Sequence, residues 1–202
     1  MNSHMEAALL EQRETRELEW RREQAARDEA DAEARMRLCG VSLSDPGWAA
    51  LRKPERWRSM TAAEEFVVDA KANAPKSRFL LFCGDTRHGK TLASAWVLRA
   101  LGARGYFVSA PDLPRTIDPW QNEKDRGWDL LGASVVVLDD LGQETLSSRF
   151  GEALFRLIDG RQSRGRTVIS TNQSVASGAF EARYGRPILA RIAESGRIVE
   201  VG

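Results

Sequence analysis

The octapeptide Gly84-Asp85-Thr86-Arg87-His88-Gly89-Lys90-Thr91 constrains this chain more than any other stretch. It satisfies G-x-x-x-x-G-K-[ST], and it lies between the apolar run Phe79-Leu80-Leu81-Phe82-Cys83 and a helix-forming stretch that begins at Lys90. A strand that ends in such a loop and continues as a helix turns a row of backbone N–H groups, at the positive end of the helix dipole, toward one anion. Residues Gly84 to Leu92 are therefore expected to cradle the phosphates of ATP, with Lys90 on the β and γ oxygens and the Thr91 hydroxyl on a magnesium ion. Arg87 and His88 stand where many such loops carry small residues. His88 reads as a loop residue that acts through its backbone, not as a general base.

A second apolar run, Val135-Val136-Val137-Leu138, ends in Asp139-Asp140. A buried strand does not end in adjacent acids without reason. Asp139 is expected to hold magnesium through its water shell, and Asp140, one residue farther out, to orient or deprotonate an attacking water. The plainer reading of Asp140 is a cap for the turn at Leu141-Gly142. A third run, Thr167 to Thr171, ends at Asn172, whose uncharged amide can hydrogen-bond a γ-phosphate or the lytic water. Standing alone, an Asn there reads as a turn residue.

From Arg78 onward, short apolar strands alternate with amphipathic helices. The strands are expected at Phe79–Cys83, Tyr106–Ser109, Ser134–Asp139, Thr167–Thr171 and Arg197–Val201, the helices near Lys90–Leu101, Arg149–Arg164 and Pro187–Ala193. This pattern predicts an α/β fold, a doubly wound five-stranded parallel sheet with ligands at the carboxyl ends of the strands.

The rest of the chain is organised differently. Residues 1–5 read as an expression remnant, and 6–40 as a charged N-terminal helix, because no Gly or Pro interrupts the chain from Glu6 to Leu38. Its apolar positions are too sparse for a heptad seam, which leaves either a solvated helix or one that binds a partner. Residues 41–77 read as a linker packing on the core, with a capping box opening a helix at Thr61-Ala62-Ala63-Glu64. The ATPase domain is assigned to 78–202. With 30 basic and 29 acidic residues, a formal net charge of +1, no global field favours nucleic acid or an anionic membrane. Two cysteines, Cys39 and Cys83, exclude a disulfide framework and point to a reducing, cytoplasmic setting. No apolar run approaches the ~20 residues of a membrane span.

With these motifs in hand, residues 79–201 resemble AAA+ ATPases of the DnaC-type helicase-loader and IstB-type group. The resemblance is carried by the phosphate loop, the Val-Val-Val-Leu-Asp-Asp-Leu-Gly run at 135–142 with Gln143-Glu144-Thr145, Leu157 to Arg161, Ser170-Thr171-Asn172-Gln173, and Tyr184 to Ile192. It implies the sheet order 5-1-4-3-2, which brings all three strand-end motifs to one γ-phosphate. It also implies that Arg191 is an arginine finger given to a neighbouring subunit, hence self-association; on spacing alone Arg191 lies at the edge of the Ile188/Ile192 face, where an ordinary solvated charge would also sit. No helical C-terminal lid like that of the wider group is expected before Gly202.

The resemblance implies an ATP-dependent, magnesium-requiring loader that remodels a replicative helicase on single-stranded DNA, with the N-terminal helix as the helicase contact. The alternatives are an IstB-like transposition regulator on double-stranded DNA, a nucleotide-gated oligomerising adaptor and a small-molecule kinase; the last is disfavoured because no Arg-rich lid lies between Gln143 and Arg166. Residues 112–132 are long for a connection and carry Arg115, Trp120, Lys124, Arg126 and Trp128. That mix suits single-stranded DNA, although the two tryptophans can equally pack on the core.

Overall fold

Apolar runs that cannot be exposed on either face form central parallel strands, as Phe79–Cys83, Val135-Val136-Val137-Leu138 and Val168-Ile169 do here. The computed structural model describes residues 2–41, 45–52, 58–101, 105–117 and 130–202. Trp57, Trp120, Lys124, Arg126 and Trp128 lie outside them, so the expected DNA contact at 112–132 falls mostly outside the described residues.

The chain divides into Met1–Leu38 and Cys39–Gly202. The first unit is one helix, α1 (Asn2–Leu38). Its described side chains are mostly exposed, including Leu18 at 54% and Trp20 at 63%. Pairs such as Arg21 with Glu17 at 2.6 Å stabilise such a helix by about 0.3–0.5 kcal/mol each, too little to replace a buried face.

In the second unit, β1 (Phe79–Cys83), β2 (Gly105–Ser109), β3 (Val135–Leu141), β4 (Arg166–Thr171) and β5 (Gly196–Glu200) form one sheet, all neighbours parallel, in the order β2-β3-β4-β1-β5. Read from the opposite edge this is 5-1-4-3-2, the order the resemblance implied. Phe79, Leu81, Val136, Leu138 and Ile169 join a core with α6 (Ser148–Arg161), α7 (Ala179–Tyr184) and α8 (Arg186–Ser195). By the two-residue period of a strand, Leu80, Phe82, Val137 and Val168 turn to the other face, which α4 (Lys90–Ala100) covers. Against α4 pack α2 (Asp45–Arg52) and α3 (Arg58–Lys71), and α3 also reaches β1. A short α5 (Leu113–Thr116) follows β2.

Strand ends and α8 differ from the sequence expectation by one or two residues, and two further boundaries differ for physical reasons. α3 begins three residues before Thr61, because Ser59 and Met60 are already buried and the Ser59 hydroxyl donates to the His88 carbonyl at 2.7 Å. Thr61 thus lies within the helix and is not its cap. α6 stops at Arg161, short of Arg164, where the fully buried guanidinium donates to Thr167 Oγ1 at 2.7 Å and to the Ala133 and Arg166 carbonyls at 2.9 and 2.8 Å. Gly165, at φ 61, makes room for it; a Cβ there would lie 2.5 Å from Arg161 Nη2. Among the described residues no helix is long and apolar enough to cross a membrane.

Candidate nucleotide-binding site

The loop between β1 and α4 is shaped by positive-φ backbone. Gly84 has φ 117, and a Cβ on it would lie 2.1 Å from the Val201 carbonyl oxygen of the neighbouring strand end. Gly89, at φ 72, is the N-cap of α4. Arg87 shares this left-handed geometry at φ 68 without glycine's freedom, a cost of about 1–2 kcal/mol. Its side chain lines two adjoining cavities, one of about 520 Å³ and one of about 340 Å³ beside Arg58, His88 and Val201.

Lys90 starts α4 and is buried, its Nζ donating to the carbonyls of Gly84 at 2.9 Å and Asp85 at 2.5 Å. Burial pushes its pKa down, against the opposing pull of the Asp140, Asp85 and Asp139 carboxylates. The loop therefore holds a partly desolvated cation at its mouth.

Asp139 and Asp140 occupy a break in register between β3 and β4, at Leu138/Leu141. Asp139 is buried, and its Oδ1 accepts from the Ser170 hydroxyl; Thr91 also hydrogen-bonds its carboxyl. Burial pushes the Asp139 pKa up and Asp140 adds to this, with the Ser170 and Thr91 hydrogen bonds acting the other way. The bulge gives Asp140 φ 56 and leaves its side chain exposed, with its N–H donating to Ser170 Oγ at 2.9 Å. Such strain in a non-glycine residue persists only where its surroundings over-determine it.

The larger cavity is lined by Thr86, Arg87, Gly89, Lys90, Thr91 and Leu92 from the loop and α4, by Asp140 and Gln143 after β3, by Asn172 after β4, and by Gly47 from α2. Its volume is that of an ordinary ligand pocket. The three motifs thus converge, with Asp139 behind Thr91. Gly84 and Asp85 serve Lys90 through their carbonyls, and His88 accepts from Ser59 through its own.

Residues to which the sequence assigned no role in the site hold this floor in place. Ser170 ties both aspartates to β4. Glu144 is buried and accepts from Gly142 N–H at 2.6 Å, Arg183 Nη2 at 2.8 Å and the Tyr184 hydroxyl at 3.0 Å. Its hydrogen bond to Arg183 raises the guanidinium's pKa, and burial together with the Glu144 charge raises that of Tyr184. Glu200 accepts from the N–H groups of Val175 at 2.7 Å and Ala176 at 2.8 Å and from Ser174 Oγ at 3.1 Å, which fixes the turn after Asn172. Burial would raise the Glu200 pKa, but these donors outweigh it and the net shift is downward. Beside it, burial and the Glu200 charge push the Cys83 thiol up to about 12.

Arg191 is elsewhere. It lies on α8, with Nε 3.1 Å from Asp159 Oδ1, its Nη1 donating to the Pro187 carbonyl at 3.3 Å, and its guanidinium carbon 4.7 Å from the Phe155 ring centroid. Its side chain is 30% exposed and it does not line the larger cavity.

The sequence profile of IstB-like ATP binding proteins matches residues 17–202. The chain belongs to this family. A comparison with curated protein sequences gave no match. Among solved structures, the DnaC helicase loader is 27% identical, with 79% of this chain and 100% of that one covered and a TM-score of 0.63. DnaI is 23% identical over 80% of this chain and 85% of that one, with a TM-score of 0.50. AMPPCP-bound DnaA from Aquifex aeolicus is 16% identical over 75% of this chain and 49% of that one, with a TM-score of 0.56. The last two likenesses concern the fold. An IstB-like chain with the AAA+ fold is an ATP-binding protein of the AAA+ ATPase class.

Proposed function

We propose that this protein binds ATP with magnesium, hydrolyses it, and uses the cycle to remodel a replicative helicase on single-stranded DNA. The observation that carries the chemistry is the convergence of Lys90, Thr91, Asp140 and Asn172 on one cavity, with Asp139 bonded to Thr91 behind it. On phosphate binding, Lys90 exchanges its two loop carbonyls for β and γ oxygens, and the N–H groups at the start of α4 take the remaining charge. A hydroxyl and a buried carboxylate side by side are the hard oxygen donors that magnesium prefers. Bound there through Thr91 and Asp139, magnesium would neutralise charge developing between the phosphates. Asp140 orients or deprotonates the attacking water, and Asn172 hydrogen-bonds the γ-phosphate or that water.

The helicase role is supported by the likeness to the DnaC helicase loader, which is covered over its full length. In this reading α1 is the helicase contact, since it exposes Leu18 and Trp20 and has little apolar surface of its own. The family match supports a second reading, an IstB-like regulator working on double-stranded DNA. ATP turnover measured alone, with single-stranded DNA, with helicase plus single-stranded DNA, and with double-stranded DNA separates the two. Stimulation by helicase and single strands is expected. Stimulation by double strands alone would favour the regulator, and ATP-dependent oligomers without stimulation would leave only an adaptor. Removal of residues 6–38 is expected to abolish helicase association in a pull-down and leave ATP affinity unchanged.

A further inference from the structure

Two residues after Asp140, the chain is gripped by a helix distant in sequence. Glu144 is 5% exposed, and one of its oxygens accepts from Gly142 N–H at 2.6 Å. The other accepts from Arg183 Nε and Nη2 at 3.1 and 2.8 Å and from the Tyr184 hydroxyl at 3.0 Å. Arg183 Nη2 also donates to the Glu144 carbonyl at 3.0 Å and approaches that of Gly142 at 3.4 Å. Gly142 itself has φ 121, so the turn is one that only glycine adopts readily, and its N–H would be lost without a fixed acceptor. Across the turn, Thr171 Oγ1 donates to the Leu141 carbonyl at 2.5 Å and accepts from Gln173 N–H at 3.0 Å.

The left-handed Asp140 thus sits between two anchors, Ser170 before it and the Glu144–Arg183 pair after it. We propose that Glu144 and Arg183 are positioning residues for the reaction, holding the Asp139–Asp140 bulge in the strained shape that turns Asp140 toward the nucleotide cavity. Neither lines the larger cavity, so both act through the backbone of Gly142 and not on the nucleotide. Such a device affects the placement of the attacking water and spares the cradle for the phosphates, which is built from β1 and α4. Displacements of a reacting group by about 1 Å cost on the order of a hundredfold in rate. The proposal rests on the hydrolytic reading above.

The test compares Arg183→Ala, Arg183→Lys and Glu144→Gln with the full-length wild type, measuring kcat and KM for ATP, affinity for a fluorescent ATP analogue, and Tm. Arg183→Ala and Glu144→Gln are expected to lower kcat about tenfold to a hundredfold with KM and analogue affinity within about twofold of wild type. Arg183→Lys, which keeps the charge but not the fork, is expected to recover part of kcat. The double variant should fall no further than the worse single one, because both break one linkage. Unchanged kcat, or kcat and nucleotide affinity falling together with Tm in all three variants, overturns the positioning role. Wild-type protein that binds the analogue but turns over no ATP under any condition defeats the hydrolytic reading itself, a separate outcome.

Discussion

Replacing Ser170 with alanine removes a single oxygen that serves both aspartates. The hydroxyl is fully buried; it donates to Asp139 Oδ1 and accepts from the Asp140 N–H at 2.9 Å. Loss of a hydrogen bond to a charged group costs about 1.5–3 kcal/mol, and the orphaned N–H, only partly buried, adds about 1 kcal/mol. The sum, about 2.5–4 kcal/mol, corresponds to a fall in Tm of about 5–16 °C for a domain of this size. The loss should also depend on pH. The Asp139 pKa is already raised by burial, and Ser170 is one of the groups that restrain it, so the variant's is higher still. At pH below both folded values the carboxyl is protonated in both proteins and the gap is small. As pH rises through the wild-type value, only the wild type stabilises the ionised form, and the gap widens. Calorimetry of both proteins at acidic and mildly alkaline pH, without metal or nucleotide, reads this directly. A Tm within about 2 °C of wild type, or a gap that does not change with pH, would refute the bridging role assigned to Ser170.

Arg191→Ala is expected to bind ATP normally and hydrolyse it poorly, and mixing it with Lys90→Ala should restore turnover; no recovery on mixing would remove the trans finger. Arg87→Gly relieves left-handed strain of about 1–2 kcal/mol against about 0.5–1 kcal/mol of added chain entropy, so Tm should hold or rise while affinity for an ATP analogue drops about fivefold. The lowered pKa of Glu200 means that its contribution is present above the usual carboxylate range and is lost as pH falls through its folded value. Glu200→Gln should accordingly flatten the acid limb of the Tm–pH curve, and an unchanged limb would dismiss the anchor. A thiol reagent on native protein at pH 8 should modify Cys39 and spare Cys83, which is buried with a pKa near 12; labelling of both would contradict that burial.

The loop between β1 and α4 and the acidic end of β3 were legible as structure because each is a contiguous pattern bounded by an apolar run. The strands were legible because a buried parallel strand is a short apolar run bounded by turn residues, and Ile188 and Ile192, four apart, marked the buried side of α8 correctly. What holds the site together was not legible. Ser170 meets Asp139 from 31 residues away and Arg183 meets Glu144 from 39, distances over which only the fold decides pairing. The bulge is equally hidden, since nothing in Leu138-Asp139-Asp140-Leu141 says that the register with β4 breaks there. The early start of α3 has the same origin, because Ser59 is buried against a loop 29 residues farther on.

The central claim is that one cavity divides its labour, with Lys90 holding phosphate and Asp140 supporting hydrolysis. Measuring ATP affinity and single-turnover hydrolysis for Lys90→Ala and Asp140→Asn beside the wild type tests it most directly. The account predicts that Lys90→Ala loses tight binding, and that Asp140→Asn binds as the wild type does while hydrolysis falls at least about a hundredfold. An Asp140→Asn protein that hydrolyses ATP at the wild-type rate, or a Lys90→Ala protein that binds it undiminished, would contradict the account.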